Sequence, residues 1–109
     1  MDRDRLATLL EEWSSESEQR RLWLSTGEHG TEVSSFIEAR EQLFTDTGLG
    51  DELEKSRTVF GEPIDGDLKR FDVLLATIDD QASPETIIGS DTMTEVRSLA
   101  ARLIDQLRA

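Results

Sequence analysis

Large apolar side chains recur at helical spacing along this chain, and this pattern limits the fold more than any other feature of the sequence. Near the start, four of them follow one another at positions i, i+3, i+4 and i+7: Leu6, Leu9, Leu10 and Trp13. Residues at this spacing line one face of an α-helix, which repeats about every 3.6 residues. No segment alternates apolar and polar residues with an excess of β-branched side chains. The sequence therefore predicts an all-α protein.

The C-terminal segment carries the longest apolar stripe. Its members share one side of a helix: Met93, Val96, Leu99, Ala100, Leu103, Ile104 and Leu107. Residues 91–109 contain three acids and three bases, so this segment is neutral while the excess of acids lies in the first 90 residues. Because a neutral, regularly apolar helix suits the interior of a bundle, we expect the C-terminal helix to be the central packing element.

Glycine, proline and capping residues separate the stripes and give the expected helix boundaries. The first helix is expected from Asp4 to Ser15, and Ser17 is a candidate cap for a second segment that ends near Ser25. One helix and two helices over residues 4–26 are both compatible with the pattern. The later helices are expected over these segments: Thr31 to Phe44, Asp51 to Phe60, Asp67 to Ile78, one turn after Ser83-Pro84, and a helix opened by the capping box Thr92-Met93-Thr94-Glu95. The result is a small single-domain bundle of five to six helices over residues 1–109.

A net charge of −12, from 24 acids and 12 bases, limits the classes of partner. Nucleic-acid phosphates and anionic membranes both require clustered Lys and Arg, so neither partner is expected. The longest apolar run, Val73–Ala76, is far shorter than the roughly 20 residues of a membrane-spanning helix. The chain has no cysteine, which excludes disulfides, thiol catalysis and cysteine-ligated metals. Since Met1–Arg5 does not open a secretory signal, we expect a cytoplasmic protein.

None of the polar clusters has the spacing of a catalytic, cofactor or metal site. The single histidine, His29, lacks both a nucleophile motif and the paired Glu-x-x-His pattern of a helical metal site. The acidic loops Asp46–Asp51 and Asp65–Lys69 lack the ligand positions of a calcium loop, and Gly48-Leu49-Gly50 lacks the lysine of a phosphate loop. We therefore expect no catalytic residue, cofactor or metal, and interpret the acids as helix caps, first-turn residues and solvated faces.

The stretch from Asp46 to Asp67 is the candidate contact zone for a partner protein. Against two bases, Lys55 and Arg57, it holds seven acids: Asp46, Asp51, Glu52, Glu54, Glu62, Asp65 and Asp67. Such a surface speeds association with an oppositely charged protein and disfavours wrong partners. The expected function is a non-enzymatic interaction module that binds a basic partner through an acidic face, as an inhibitor, immunity protein or mimic of DNA charge would. The competing interpretation is that the charge only keeps the chain soluble or adapts it to high salt.

Trp23 is the remaining candidate contact residue. One helix face cannot bury all three residues of Leu22-Trp23-Leu24, so at least one is expected to face outward, into a partner, a symmetry mate or a covering loop. Trp13, by contrast, follows the first apolar stripe and is expected in the core. The alternative function is a homo-oligomeric helical bundle, such as a homodimer, closed through Leu22–Leu24 or through Val59-Phe60. An uncharacterised enzyme is a second alternative, which no motif supports.

Overall fold

The computed structural model describes residues 1–24, 34–55 and 58–109, and over these residues the chain forms helices and no strand. The α-helices are, in chain order, α1 Arg3–Ser14, α2 Glu16–Trp23, α3 Phe36–Glu41, α4 Leu49–Glu54, α5 Ile64–Ala76, α6 Pro84–Ile88 and α7 Asp91–Arg108. A π-helical segment, Gln42–Asp46, continues α3 directly. The all-α prediction is confirmed.

The N-terminal stretch is two helices, which decides between the alternatives that the sequence left open. Ser15 lies between them in an extended conformation, and its hydroxyl accepts a hydrogen bond from the backbone N–H of Glu18 (3.2 Å). The cap is therefore Ser15, two residues before the expected Ser17. The described residues contain seven α-helices instead of five to six, because α2 and the single turn α6 are both separate helices.

Helix α4 starts and ends earlier than the sequence predicts. Gly48 precedes it with a φ of 79°, a left-handed conformation that glycine adopts without a steric penalty. The helix covers only Leu49–Glu54, so Asp51 is a first-turn acid and not the cap. Phe60, the expected last residue, lies outside any helix.

Helix α5 begins at Ile64, three residues before the expected start at Asp67. The carboxylate of Asp65 accepts hydrogen bonds from the backbone N–H groups of Val59 (2.8 Å) and Phe60 (2.9 Å). These bonds tie the preceding turn to the first turn of α5. They also give the N–H groups of Val59 and Phe60 acceptors outside any helix, as part-buried backbone donors require.

Serine hydroxyls cap α6 and α7. The expected start of α6 at Ser83-Pro84 is confirmed. The expected capping box Thr92 with Glu95 is wrong, because the Ser90 hydroxyl accepts the backbone N–H of Met93 (3.1 Å) and starts α7 at the residue after Ser90.

Helix α3 begins at Phe36, and its cap is Ser35, whose hydroxyl accepts the N–H of Glu38 (3.0 Å). Residues 34 and 35 are not helical, so this helix starts later than a cap at Thr31 predicts. The expected cap at Thr31 and the expected loop before it lie outside the described residues.

The C-terminal helix is the central packing element, as predicted. Helix α7 packs most extensively against α1 and next most against α5. At its end, the guanidinium of Arg3 donates hydrogen bonds to the carbonyl oxygens of Gln106 and Leu107 (both 3.1 Å), two of the groups that a helix C-terminus leaves open. Within the described part of the chain, no helix is both long and apolar enough to cross a membrane.

An aromatic cluster joins four helices in the core. The ring of Trp13 on α1 meets the rings of Trp23, Phe36 and Phe71 edge to face, at centroid distances of 5.5, 5.6 and 5.6 Å. Edge-to-face pairs at this distance contribute about 0.5–1.5 kcal/mol beyond the burial of their area. The core position predicted for Trp13 is confirmed.

Candidate interaction surface

The structure divides the seven acids of the expected contact zone into two groups. Three of them bind groups of this same chain: Glu62, Asp65 and Asp67. The other four lie on the π-helical segment and α4, with no ion-pair partner among the described residues: Asp46, Asp51, Glu52 and Glu54. We call these four residues the acidic corner.

The three self-bound acids have structural roles. Asp65 is only 5% exposed, and each oxygen of its carboxylate accepts one backbone N–H of the preceding turn. Glu62 accepts the backbone N–H of Gly66 (3.1 Å) in the first turn of α5. Asp67 binds Arg102 of α7 through both oxygens, at 2.7 and 3.1 Å. Asp65 is buried and the Asp67 side chain is largely covered in its pair with Arg102, so neither lies in the candidate surface. Glu62 is exposed, but its carboxylate already stabilises the first turn of α5, so we leave it out of the candidate surface as well.

The acidic corner remains open to solvent. Three of its side chains are exposed, and the fourth, Glu52, is half-buried. Asp46 ends the π-helical segment, and Asp51 and Glu52 follow in the first turn of α4, where negative charge complements the helix dipole. The short turn at Thr47-Gly48 therefore concentrates carboxylates at one bend of the chain.

Two surface grooves share residues with the acidic corner. The first, of about 440 Å³, includes Asp46 and Glu52 and is completed by Met1, Asp2, Arg5, Thr47, Gly48, Thr58 and Val59. The second, of about 560 Å³, includes Glu54 and is completed by Arg40, Glu41, Phe44, Thr45, Gly50, Leu53, Lys69, Asp72 and Val73. We call the second one the α4–α5 groove.

Several arginines bind other groups of the fold, and none of the described ones pairs with an acid of the corner. Arg97 donates from one nitrogen to the side-chain oxygen of Gln19 (2.9 Å) and to the carbonyl of Ile88 (3.1 Å). Arg108 pairs with Glu11 at 2.7 Å. Arg40, which lines the α4–α5 groove, pairs with Asp72 of α5 and not with an acid of the corner.

Two ion pairs on α2 perturb the acids that form them. The hydrogen bond and the charge of Arg20 (2.9 Å), with a smaller contribution from Arg97, lower the pKa of Glu16. The hydrogen bond from Arg21 (2.7 Å) lowers the pKa of Glu18, against a partial desolvation that raises it. Both glutamates are therefore held in the ionised form.

Trp23 lies in the core and presents no contact surface. It is 5% exposed, and its indole N–H donates to the Glu12 carboxylate (2.7 Å), which also accepts the hydroxyl of Ser34 (3.0 Å). Leu22 is buried as well, and Leu24 is half-buried. The three residues fit because α2 ends at Trp23, so Leu24 leaves the helix and need not share its face.

The exposed apolar surface lies elsewhere than expected. Val59 and Phe60 are half-buried, and the Arg3 guanidinium lies 5.7 Å from the Phe60 ring centroid. Ile37 and Val73 are exposed instead. One signal pointed to Val73: it falls outside the apolar stripe of α5, so a valine there lies on the polar face of an amphipathic helix.

In the described part of the chain, no group of three or more His, Asp or Glu side chains is placed to hold a metal ion. His29 and Arg57 lie outside the described residues. The chain matches no protein-family model, no curated protein and no solved structure.

Proposed function

We propose that this protein is a non-enzymatic interaction module that binds a basic protein through the acidic corner. The supporting observation is that Asp46, Asp51, Glu52 and Glu54 have no ion-pair partner among the described residues, whereas nearby Asp65 is bound by backbone N–H groups and Asp67 by Arg102. Inhibitors, immunity proteins and mimics of DNA charge all use this chemistry.

The energetics define what such a surface contributes. An exposed ion pair is worth about 0.2–1 kcal/mol, so four of them change the affinity by between about fourfold and several hundredfold. Long-range attraction also raises the association rate, and salt screens it over about 8–10 Å. Binding through the corner is therefore salt-dependent and sensitive to removal of these four charges together.

The test is affinity capture from the native host, with the recovered partner identified by mass spectrometry and then purified. Its Kd is measured for the wild type, for the corner variant D46N/D51N/E52Q/E54Q, and for a matched control, D80N/E85Q/E95Q/D105N. The control removes four exposed acids from other parts of the fold, so both variants lose the same net charge. We expect the corner variant to bind at least about tenfold more weakly and the control to stay within about threefold of the wild type.

Salt provides the second readout. The wild-type Kd is expected to rise steeply between about 50 and 150 mM salt, and the corner variant to show a flatter slope. If both variants bind the partner equally weakly, the net charge of the protein determines the affinity and the position of the acids does not. A Kd that neither variant nor salt changes would remove the proposal.

A further inference from the structure

The α4–α5 groove has an apolar floor and a charged rim. Phe44 from the π-helical segment and Leu53 from α4 line it from one side, and Val73 of α5 lines it from the other. Phe44 and Leu53 belong to the core, so the groove reaches the edge of the core itself. Its size, about 560 Å³, is enough to receive several side chains of a partner.

The most exposed large apolar side chain on the described helices lines this groove, and the next most exposed lies on α3, which contributes two lining residues. Val73, which lines it, is 64% exposed, and Ile37 is 43% exposed. Ile37 precedes Arg40 and Glu41, two further lining residues, by three and four positions, so it shares their face of α3. Exposed apolar side chains gathered beside one groove are typical of an interaction site.

The charges of the rim favour a basic occupant. Arg40 and Asp72 lie 3.8 Å apart and compensate each other across the groove. The other charged residues of the lining are two acids, Glu41 and Glu54, and one base, Lys69. Glu54 is also part of the acidic corner. The lining of the groove therefore has an excess of one negative charge, and Glu54 links the groove to the acidic corner.

We propose that the α4–α5 groove binds the apolar face of a basic amphipathic helix, whose Lys and Arg side chains reach Glu41 and Glu54. This inference rests on the proposed function and names the class of segment that the basic partner presents. Helices with apolar residues at i, i+3 or i+4, and i+7 commonly bind such grooves. The described residues offer no sheet edge to an extended peptide. A second copy of this chain, also at −12, would bring repulsive charge.

The test uses two labelled synthetic peptides composed only of Leu and Lys. In the first, the leucines occupy one face of a helix; the second has the same composition in a permuted order without that face. Fluorescence anisotropy gives the Kd of each peptide for the wild type, Val73→Glu, Ala101→Glu and the corner variant. Both single substitutions are at exposed helix positions and add one negative charge. Circular dichroism and urea unfolding check that each variant folds.

The sign of the effect separates groove binding from charge attraction. Added negative charge strengthens a purely electrostatic contact with a Lys-rich peptide. We expect Val73→Glu to raise the Kd of the amphipathic peptide at least tenfold. The Kd of the permuted peptide is expected to stay unchanged or to fall. Ala101→Glu is expected to weaken neither. The corner variant is expected to bind both peptides more weakly than the wild type does.

Each other outcome has a defined meaning. If Val73→Glu and Ala101→Glu have the same Kd for the amphipathic peptide, the groove inference is overturned. Weaker binding by the corner variant would still support the proposed function in that case. If the corner variant binds both peptides like the wild type, the proposed function fails. If light scattering shows a wild-type dimer that Val73→Glu dissociates, a second copy occupies the groove and the inference is overturned in favour of that contact.

Discussion

Among the individual side chains, the polar groups that stabilise this fold most are those that satisfy donors and acceptors inside it. Gln19 is fully buried, and it bridges the carbonyl of Trp13 (3.0 Å) and the guanidinium of Arg97 (2.9 Å). Glu12 accepts the indole N–H of Trp23, which is itself in the core. Because an unsatisfied buried donor loses its bonds to water without replacement, these few contacts outweigh most of the surface ion pairs.

Replacing Glu12 with Ala tests this at one position. The substitution leaves the buried indole N–H of Trp23 without its acceptor, so we expect the free energy of unfolding to fall by about 1–3 kcal/mol. The adjacent Glu11→Ala is the control, since it removes only a surface pair with Arg108 and is expected to lower stability by at most about 1 kcal/mol. Urea unfolding followed by circular dichroism measures both. Equal midpoints for the two variants would show that the Trp23 contact contributes no more than a surface pair.

At the level of the elements, a capping side chain marks the start of every described α-helix except α4 and α5. Ser15, Ser35, Ser83 and Ser90 each accept a backbone N–H from the first turn of their helix. A helix can begin wherever such an acceptor meets an extended residue, and several serines and threonines near each start satisfy the sequence rule equally well. Expected starts therefore differ from the observed ones by a few residues, while the existence of each helix follows from its apolar stripe.

Ser90 and Thr92 give a paired test of the cap of α7. Ser90→Ala removes the acceptor of the Met93 N–H, so the free energy of unfolding is expected to fall by about 0.5–2 kcal/mol. Thr92→Ala lies inside the helix and is expected to change stability by less than about 0.5 kcal/mol. Thermal unfolding distinguishes the two variants. A larger loss for Thr92→Ala would restore the capping box that the sequence predicts.

Helix α2 predicts a dependence of stability on pH. The lowered pKa values of Glu16 and Glu18 mean that folding favours their ionised forms. Their contribution is present above the ordinary glutamate pKa of about 4.3 and is lost as the pH falls through the lowered values. The double variant E16Q/E18Q should therefore lose less stability than the wild type on acidification below about pH 4.5. The Tm measured from neutral to acidic pH checks this, and parallel curves for the two proteins would contradict it.

For the whole molecule, charge and packing are separated in space. Helix α7 packs between α1 and α5, and the buried apolar side chains of all the described helices form one core. Among the described residues, every charged side chain except Asp65 is at least partly exposed. Mutual repulsion among like charges destabilises the compact state, while exposed ion pairs restore little of this loss.

Salt is therefore expected to stabilise this protein. Raising NaCl from about 20 to 200 mM screens the repulsion and should raise the Tm. The corner variant and its matched control both carry four fewer negative charges, so their Tm should respond less to salt than that of the wild type. A Tm that is unchanged or lower at high salt would show that the ion pairs outweigh the repulsion.

The helical class and the position of α7 follow from the sequence because they depend on local order. Apolar residues at i, i+3 and i+4 share a helix face whatever the rest of the chain does, and the stripe containing Leu103 and Leu107 is the longest of them. The same pattern correctly places Trp13 in the core. The start of α6 at Ser83-Pro84 is confirmed for the same reason, because the cap and the first helical residue are neighbours in the chain.

Which acids are free and which aromatic residues are covered was decided only by the tertiary structure. In the sequence, Asp67 and Asp51 both follow a glycine at an expected helix start. In the structure, however, Asp67 binds Arg102, which lies 35 residues away. Trp23 is covered because the rings of Trp13 and Phe36 pack against it and Glu12 accepts its indole N–H. Such contacts depend on how the helices pack against one another. Periodicity specifies which face of a helix is apolar, but it does not specify which distant side chain that face will meet.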